Sequence, residues 1–373
     1  MRPPAALGRQ GRQGPEGQPW VLHVDLDQFI AAVEVLRRPE LAGRQVVVGG
    51  DGDPTKRGVV STASYEAREL GVGSGMPLRV AARKAPAAVF LPVDRGAYDA
   101  ASAEVMATLA ALEWDHRPVV LQVLGWDEAF LAAGPPPRPA HEQDPEAFAA
   151  HVRAQVLDRT GLHCSVGIGD NKLRAKIATD FGKPRGSFML TAETWSEVMG
   201  ERPTRALWGV GARTAARLSA LGVETVTQLA AADPALLAAE LGATMGPWQH
   251  RLGRGVDTSP VDATPRVARA HGRETTFQTD LDDWDRIAEE VRALTRQALA
   301  DLDREGRPAA RVGLKIRFAP FVTVTRSLTL PASTTDPTVL QDAAVSLLER
   351  VQHDRPVRLL GVRLEMPAPQ GGY

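Results

Sequence analysis

The sequence predicts an α+β chain of several domains, and three observations carry that expectation. Its 373 residues correspond to two or three domains of ordinary size. Strand and helix patterns alternate irregularly over residues 20–183, which suits a mixed sheet better than a run of βαβ units. The last hundred residues read βαββαβ, a compact ferredoxin-like order.

Residues 1–19 are rich in Gly, Pro, Gln and Arg and are expected to be a disordered tail without the apolar run of a secretory signal. Residues 20–27 read as a strand that puts Asp25 and Asp27 on one face. A helix through Phe29, Val33 and Leu36 ends before Pro39. Residues 46–48 are a buried strand, 49–54 a turn, 59–63 a strand and 65–70 the start of a helix. Residues 97–112 read as helix and 119–123 as strand. Asp127 and Glu128 fall on a turn before a strand over 129–132. A loop over 134–145, a helix over 146–159, a strand over 163–168 and a helix over 171–181 follow. Residues 204–255 read as helices broken by glycines, and 256–270 as a linker. In the last segment, 271–277 is a strand. Trp284, Ile287, Val291, Leu294 and Ala298 share one helical face. Val312, Leu314, Ile316 and Phe318 alternate as a strand, Val322 and Val324 begin the next, Val339, Ala343, Leu347 and Val351 mark a helix, and 357–364 is the final strand.

Composition narrows the function. There is one cysteine, Cys164, so neither an internal disulfide nor a cysteine zinc site is available. No apolar run approaches the ~18 residues of a membrane span, so a cytoplasmic chain with no membrane partner is expected. The net charge is -1, from 44 basic and 45 acidic residues. That balance can hide local patches of either sign. Only Lys56, Lys84, Lys172, Lys176, Lys183 and Lys315 are lysines, and three of them lie between 172 and 183.

The acidic pairs Asp25/Asp27 and Asp127/Glu128 are the strongest chemical signal. Converging carboxylates repel unless cations neutralise them, and hard oxygen ligands suit Mg²⁺ with bound phosphates. Two such ions can serve phosphoryl transfer. Lys172 and Lys176, four apart on one helical face, could hold a triphosphate beside them. Exposed turn acids and a solvated helix face are the plainer readings of the same residues.

Four motifs in order are specific. His23–Glu34 (HVDLDQFIAAVE) resembles the first catalytic motif of Y-family translesion DNA polymerases of the DinB branch. Residues 125–131 (GWDEAFL) resemble the second, usually S-x-D-E-A-Y/F-L. Residues 61–68 (STASYEAR) resemble the finger motif, and 165–178 (SVGIGDNKLRAKIA) the palm lysine helix. The resemblance spans about 20–366. It implies a right-hand polymerase with a ferredoxin-like palm (20–28 and 93–183), small fingers (29–92) and a helix-hairpin-helix thumb (184–255). A linker (256–267), a βαββαβ little finger (268–366) and a tail (367–373) would complete it. It implies that Asp25, Asp127, Glu128 and the Leu26 carbonyl hold two Mg²⁺ ions, with Mn²⁺ as a substitute, and that Asp27 is structural. Tyr65, Arg68 and Lys176, assisted by Thr62, would hold the β- and γ-phosphates. Phe29 and Ile30 would lie beneath the sugar of the incoming nucleotide.

Position 30 departs from the family pattern of Tyr or Phe, whose flat ring blocks a ribose 2′-oxygen. Ile30 is shorter, as in a subgroup of actinobacterial DinB-like enzymes. A hydrophobic pocket rejects an added hydroxyl only weakly. Weak discrimination between dNTP and rNTP is therefore expected, unless Phe29 or a backbone shift restores the gate.

Residues 208–223 read as a helix-hairpin-helix in which Gly209 and Gly211 let the backbone approach a phosphate and Arg213 adds a cation. Arg311, Lys315 and Arg317 share one strand face, within a stretch (307–328) that holds five cations and no acids. That strip suits sequence-independent phosphate binding to primer–template DNA. Arg326 falls on the apolar phase. The Val48–Asp53 stretch is similar to a cyclase Gly-Gly-Asp turn but lacks the following acidic–aromatic pair, so it reads as a finger loop. His163 and Cys164 read as core strand, and the prolines of 134–139 as loop. A catalytically inert DNA-binding paralogue and a palm-related nucleotidyl cyclase are the alternatives. The C-terminal residues 366–373 carry no clamp-binding peptide, so dependence on a sliding clamp is not expected from them. A nucleoid-associated monomer is the expected state.

Overall fold

The computed structural model describes residues 20–134 and 144–369. The expected tail (1–19), most of the proline loop (135–143) and the last four residues lie outside the described residues. The chain divides into two compact units. One holds the described residues up to Gly52, with Val60–Met76 and Val80–Thr264; the other holds Asp53–Val59, Pro77–Arg79 and the described residues from Pro265 onward.

In the first unit, β1 (Val21–Leu26) leads into α1 (Phe29–Arg37). Gln28 precedes the helix with φ 46°, and Phe29, Ala31 and Val33 bury one face. Glu34 is also buried, which the apolar stripe did not anticipate. It accepts from the Tyr98 hydroxyl at 2.6 Å and pairs with Arg37 and Arg38, so its charge is partnered. A three-stranded sheet follows, from β2 (Val46–Val48), β3 (Thr62–Ala63) and β4 (Val89–Leu91). The helices α2 (Tyr65–Glu69) and α3 (Leu78–Lys84) lie between β3 and β4. The strand expected over 59–63 is thus only its last two residues. The 49–53 loop closes on Gly52, φ +82°, where a side chain would strike the backbone nitrogen of Pro92 at 2.7 Å.

α4 (Arg95–Ala110), β5 (Glu113–Trp114), β6 (Arg117–Val123), β7 (Glu128–Ala133), α5 (Pro145–Thr160), β8 (Cys164–Gly169), α6 (Lys172–Gly182) and β9 (Ser187–Leu190) complete the main layer. Its six-stranded sheet runs β5-β6-β7-β1-β8-β9, antiparallel except for β8 with β9. β9 falls where the sequence pattern placed thumb residues. It is only four residues long, and its partner strand, not its own periodicity, makes it a strand. α4 and α5 cover one face, with Trp114 stacked on Phe148 at 4.5 Å. On the other face α6 lies close against β8, because Gly167 and Gly169 present no side chain. A Cβ at Gly167 would meet the Ala175 carbonyl at 1.9 Å. Five further helices, α7 (Ala192–Met199), α8 (Ala212–Ala220), α9 (Val226–Ala231), α10 (Pro234–Leu241) and α11 (Met245–Gly253), pack around Leu218, Leu229, Leu237 and Leu252.

In the second unit the order is β10 (Ala270–Leu281), α12 (Trp284–Glu305), β11 (Ala309–Phe318), β12 (Thr323–Thr334), α13 (Pro337–Ser346) and β13 (Val357–Glu365), as the pattern predicted. The sheet runs β10-β13-β11-β12 with every pair antiparallel. β13 therefore separates the parallel strands β10 and β11, and β11 separates β12 from β13. The predicted stripe of α12 shares one core with Val312, Leu314 and Ile316 of β11, all buried. Val339, in contrast, is exposed, because α13 turns Leu340, Ala343 and Ala344 inward.

Candidate active site and nucleic-acid contacts

The carboxylates meet because β1 lies between β7 and β8. Asp25 pairs in register with Glu128 on one side and Ser165 on the other. The Leu26 amide donates to the Asp127 carbonyl at 2.9 Å, tying the two acidic segments together. Glu128 opens β7 rather than lying on the turn. Asp27, nearly buried, accepts from the Tyr65 hydroxyl at 2.8 Å, the Ser165 hydroxyl at 3.0 Å and the Arg185 amide at 2.9 Å. These three bonds tie β1 to α2, β8 and the segment at Arg185.

The two lysines that reach the carboxylates stand on and just beyond α6, whose first turn is capped by Asn171 accepting from the Arg174 amide at 2.9 Å. Lys176 donates to Glu128, contacts His23 Nε2 at 3.1 Å and lies over the Trp208 ring at 5.5 Å. Lys183 contacts Asp25 at 2.9 Å. The motif-based reading missed Lys183; its signal was membership of the same lysine cluster. Lys172 turns instead to the Gln122 side-chain oxygen at 3.2 Å. Lys172 and Lys176 thus have separate partners and do not act as a pair.

Burial pushes the Asp25 pKa up to about 6, against the pull of Lys183. Burial and then the neighbouring Glu128 raise Asp127 as well. The His23 contact, with Lys176 reinforcing it, draws Glu128 down to about 2 despite its own burial. Burial lowers His23 to about 4, so its ring is neutral at pH 7. Among the described residues no three carboxylate, imidazole or thiol groups are gathered closely enough to ligate an ion. Lysines occupy two of the carboxylates. The donor set itself fits a hard divalent cation, since Asp25 and Asp127, raised first by partial burial, would be stabilised as anions by positive charge.

Of the expected nucleotide contacts, Thr62 lies half-buried on β3 and Tyr65 opens α2. The Tyr65 amide donates to the Gln28 side-chain oxygen at 2.5 Å, and burial with the Asp27 bond raises its phenol pKa. Arg68 donates to the Ala63 carbonyl at 2.8 Å and sits over the Tyr65 ring at 5.1 Å. Phe29 is 3% exposed within the main core, so it offers a sugar almost no surface. Ile30 is half-buried at the edge of that core. The two neighbours therefore differ in exposure, Phe29 being buried and Ile30 half-buried.

Comparison with known proteins identifies this arrangement. The family model described as "impB/mucB/samB family" matches residues 24–180, and the one for that family's C-terminal domain matches 268–372. DNA polymerase IV 2 of Mycobacterium tuberculosis H37Rv is 48% identical over 348 residues, 93% of this chain and 98% of that protein. DNA polymerase IV of Methanoculleus marisnigri is 40% identical over 350 residues, 93% and 94% of the two chains. A Y-family DNA polymerase chimera, Dbh-Dpo4(243-245)-Dbh, superposes with a TM-score of 0.79 at 25% identity over 93% of this chain and 98% of its own. An insertion ternary complex of Dbh DNA polymerase gives 0.62 at 26% identity, over 93% and 98%. The chain belongs to the DinB-like, polymerase IV branch of the Y family of DNA polymerases. It is a DNA-directed DNA polymerase of the translesion type, and the palm, thumb and little-finger names now apply to its parts.

In the polymerase's thumb, Gly211 precedes α8 in open space, and Arg213 is exposed in its first turn. Gly209 has a nearer reason to be glycine than phosphate approach. At φ +92° its Cβ would strike the Trp248 ring at 2.7 Å. In the little finger, Arg311, Lys315 and Arg317 do lie on the open face of β11, alternating with buried residues. The sheet, however, brings acids the window 307–328 did not contain. Lys315 meets Glu274 of β10 at 2.6 Å, and Arg311 lies 3.9 Å from Glu365 of β13. Arg307 is bound by Glu305 and by the Ala268 and Pro367 carbonyls, and Arg326 donates to the Arg350 carbonyl at 2.9 Å. Both are structural fasteners, which gives a reason for an arginine at the apolar phase at 326. Among the described residues no helix is long and apolar enough to cross a membrane.

Proposed function

We propose that this polymerase works by two-metal nucleotidyl transfer to a primer 3′-hydroxyl and discriminates only weakly between dNTP and rNTP. The first part is supported by the meeting of Asp25, Asp127 and Glu128 at the ends of paired strands. These residues, with the Leu26 carbonyl, would hold two Mg²⁺ or Mn²⁺ ions. Such ions supply charge neutralisation at the triphosphate and a more acidic primer hydroxyl. The chain's own part is positioning. Asp27 fixes Tyr65, and the Tyr65 amide and Gln28 fix the start of α2. Lys176 and Lys183, paired with Glu128 and Asp25, would be free to meet anions if those carboxylates were neutralised by the ions. Tyr65, Arg68 and Thr62, with these lysines, then face the β- and γ-phosphates. Gly209, Gly211, Arg213, Arg311, Lys315 and Arg317 would contact the DNA backbone, with affinity falling as salt rises.

The second part rests on Ile30. It is the half-buried residue at the first turn of α1, while Phe29 is committed to the core and cannot serve as a substitute gate. Single-nucleotide primer extension with dNTP and rNTP tests both parts. Asp127→Ala should cost on the order of a thousandfold in rate while DNA binding persists. Ile30→Phe should raise dNTP/rNTP selectivity by roughly ten- to a hundredfold. A parent enzyme that already prefers dNTP by several thousandfold would sink the sugar claim while leaving the metal-site claim intact.

A further inference from the structure

His23 sits in the middle of β1, 1% exposed, in register with Phe130 of β7 and Gly167 of β8. Because Gly167 has no side chain, α6 comes down beside the ring. The Thr179 hydroxyl lies 2.5 Å from where a Cβ at 167 would stand. Phe130 meets the imidazole edge-on, with centroids 5.0 Å apart. A phenyl ring could fill this space without bringing two nitrogens that need partners once buried. His23 has a partner for each. Nδ1 lies 2.8 Å from Thr179 Oγ1, and Nε2 lies 3.1 Å from Lys176 Nζ.

These contacts fix the ring's hydrogen. An ammonium has donors and no acceptor, so Nε2 meets it favourably only with a free lone pair. Nδ1 then carries the hydrogen and donates it to Thr179 Oγ1. The Thr179 hydroxyl in turn donates to a backbone carbonyl, with those of Ala175 at 3.1 Å and His23 at 3.3 Å in reach. The bonds run one way, from imidazole to hydroxyl to backbone, and leave Nε2 a fixed acceptor. Glu128 lies 3.5 Å from the same nitrogen and also receives from Lys176, so the ammonium joins the two, and the His23 contact reaches Glu128 through it. The Trp208 ring, 5.5 Å from Nζ, is the third neighbour.

The neighbours of Lys176 are not equivalent. Glu128 is the one that a cation would claim. An ammonium held by Glu128 alone would then swing on a flexible four-carbon stem. We propose that His23 is a positioning residue for the polymerase reaction: its Nε2 keeps the Lys176 ammonium in place for the triphosphate when Glu128 turns to a metal ion. This role rests on the two-metal reading and on Lys176 as a phosphate contact. Thr179 serves it from behind, by holding the ring in the one tautomer that can accept.

Single-turnover primer extension on the full chain gives the dNTP Kd and the rate at saturation. His23→Phe should raise that Kd about tenfold and change the saturated rate by less than about threefold, with DNA affinity unchanged. His23→Gln places an amide near Nε2 and should restore most of the affinity, which separates lost positioning from misfolding. His23→Asn places its amide near Nδ1 and should not. In a Lys176→Met background His23→Phe should cost nothing further, because the ring acts only through the ammonium. Long-range ¹H–¹⁵N spectra of the histidine-labelled chain, taken without metal or nucleotide, should show the His23 hydrogen on Nδ1. Lys176→Met should shift the Nε2 resonance. A hydrogen on Nε2, equal losses in the Gln and Asn variants, or an undiminished His23→Phe penalty beside Lys176→Met overturns the role and leaves His23 as core packing. If Lys176→Met alone does not weaken dNTP binding, the phosphate reading of Lys176 falls and the role with it, even where the spectra still show the ring–ammonium bond, so the two failures are told apart.

Discussion

Lys176 with Glu128 at the end of the palm sheet, and Lys315 with Glu274 on the open face of the little-finger sheet, are the same two side-chain types in contact. The palm pair shares its site with half-buried Asp25 and neutral His23; burial raises Asp25 and lowers His23, and the His23 contact lowers Glu128. In the little finger both partners stand at the surface, 36% and 45% exposed. Desolvation makes the difference. A charge taken out of water must be answered by a specific partner, whereas an exposed pair exchanges one partner for water or phosphate at little cost. The palm charges are therefore fixed in place by specific partners, as the proposed metal site requires. The little-finger charges can exchange partners at little cost, as the proposed duplex contacts require.

The buried side of that contrast can be tested most strongly at Cys164, 2% exposed and with its thiol pushed up to about 12, burial being the first cause. Because the raised value keeps the thiol protonated through pH 9, its alkylation by iodoacetamide should be roughly a hundredfold or more slower in the native chain than in urea. Equal rates would mean that the core beneath the palm opens freely. Asp27→Ala should come next. It strands the Tyr65 and Ser165 hydroxyls and the Arg185 amide, and should lower unfolding free energy by about 3 kcal/mol, read as a shifted urea midpoint at constant slope. The smallest effect belongs to the exposed region. Lys315→Ala should change stability by less than about 1 kcal/mol, while weakening duplex binding a few-fold and flattening its salt dependence. A loss as large as that of Asp27→Ala would erase the distinction between the two regions.

What could be read from sequence follows the same division. The α12 stripe and the β11 alternation were legible because each element buries one face of its own. The carboxylates and the α6 lysines were legible through their motifs. β9 and β4 were not, since strands of three or four residues are defined by the neighbour they pair with. The role of Lys183 was missed because only the fold carries it from the end of α6 back to Asp25. Glu274 and Glu365 escaped the count of charges around β11 because adjacency across a sheet is not adjacency along the chain. Buried Glu34 reads as a surface acid until Tyr98, Arg37 and Arg38 are placed around it.

The contact between β8 and α6 has a wider consequence. Gly167 and Gly169 leave no adjustable atom between strand and helix, and Ala175 and Thr179 of α6 already fill the space where a Cβ would go. Lys176 stands on that helix and Lys183 directly follows it, so the distance from each ammonium to the carboxylates is set by a gap with no slack. A single methyl at either glycine would displace both reach points together, far from any atom that touches substrate. The gap acts as a gauge block for the enzyme, and selection or engineering aimed at the polymerase's chemistry has less freedom at these two silent positions than at many that face the DNA.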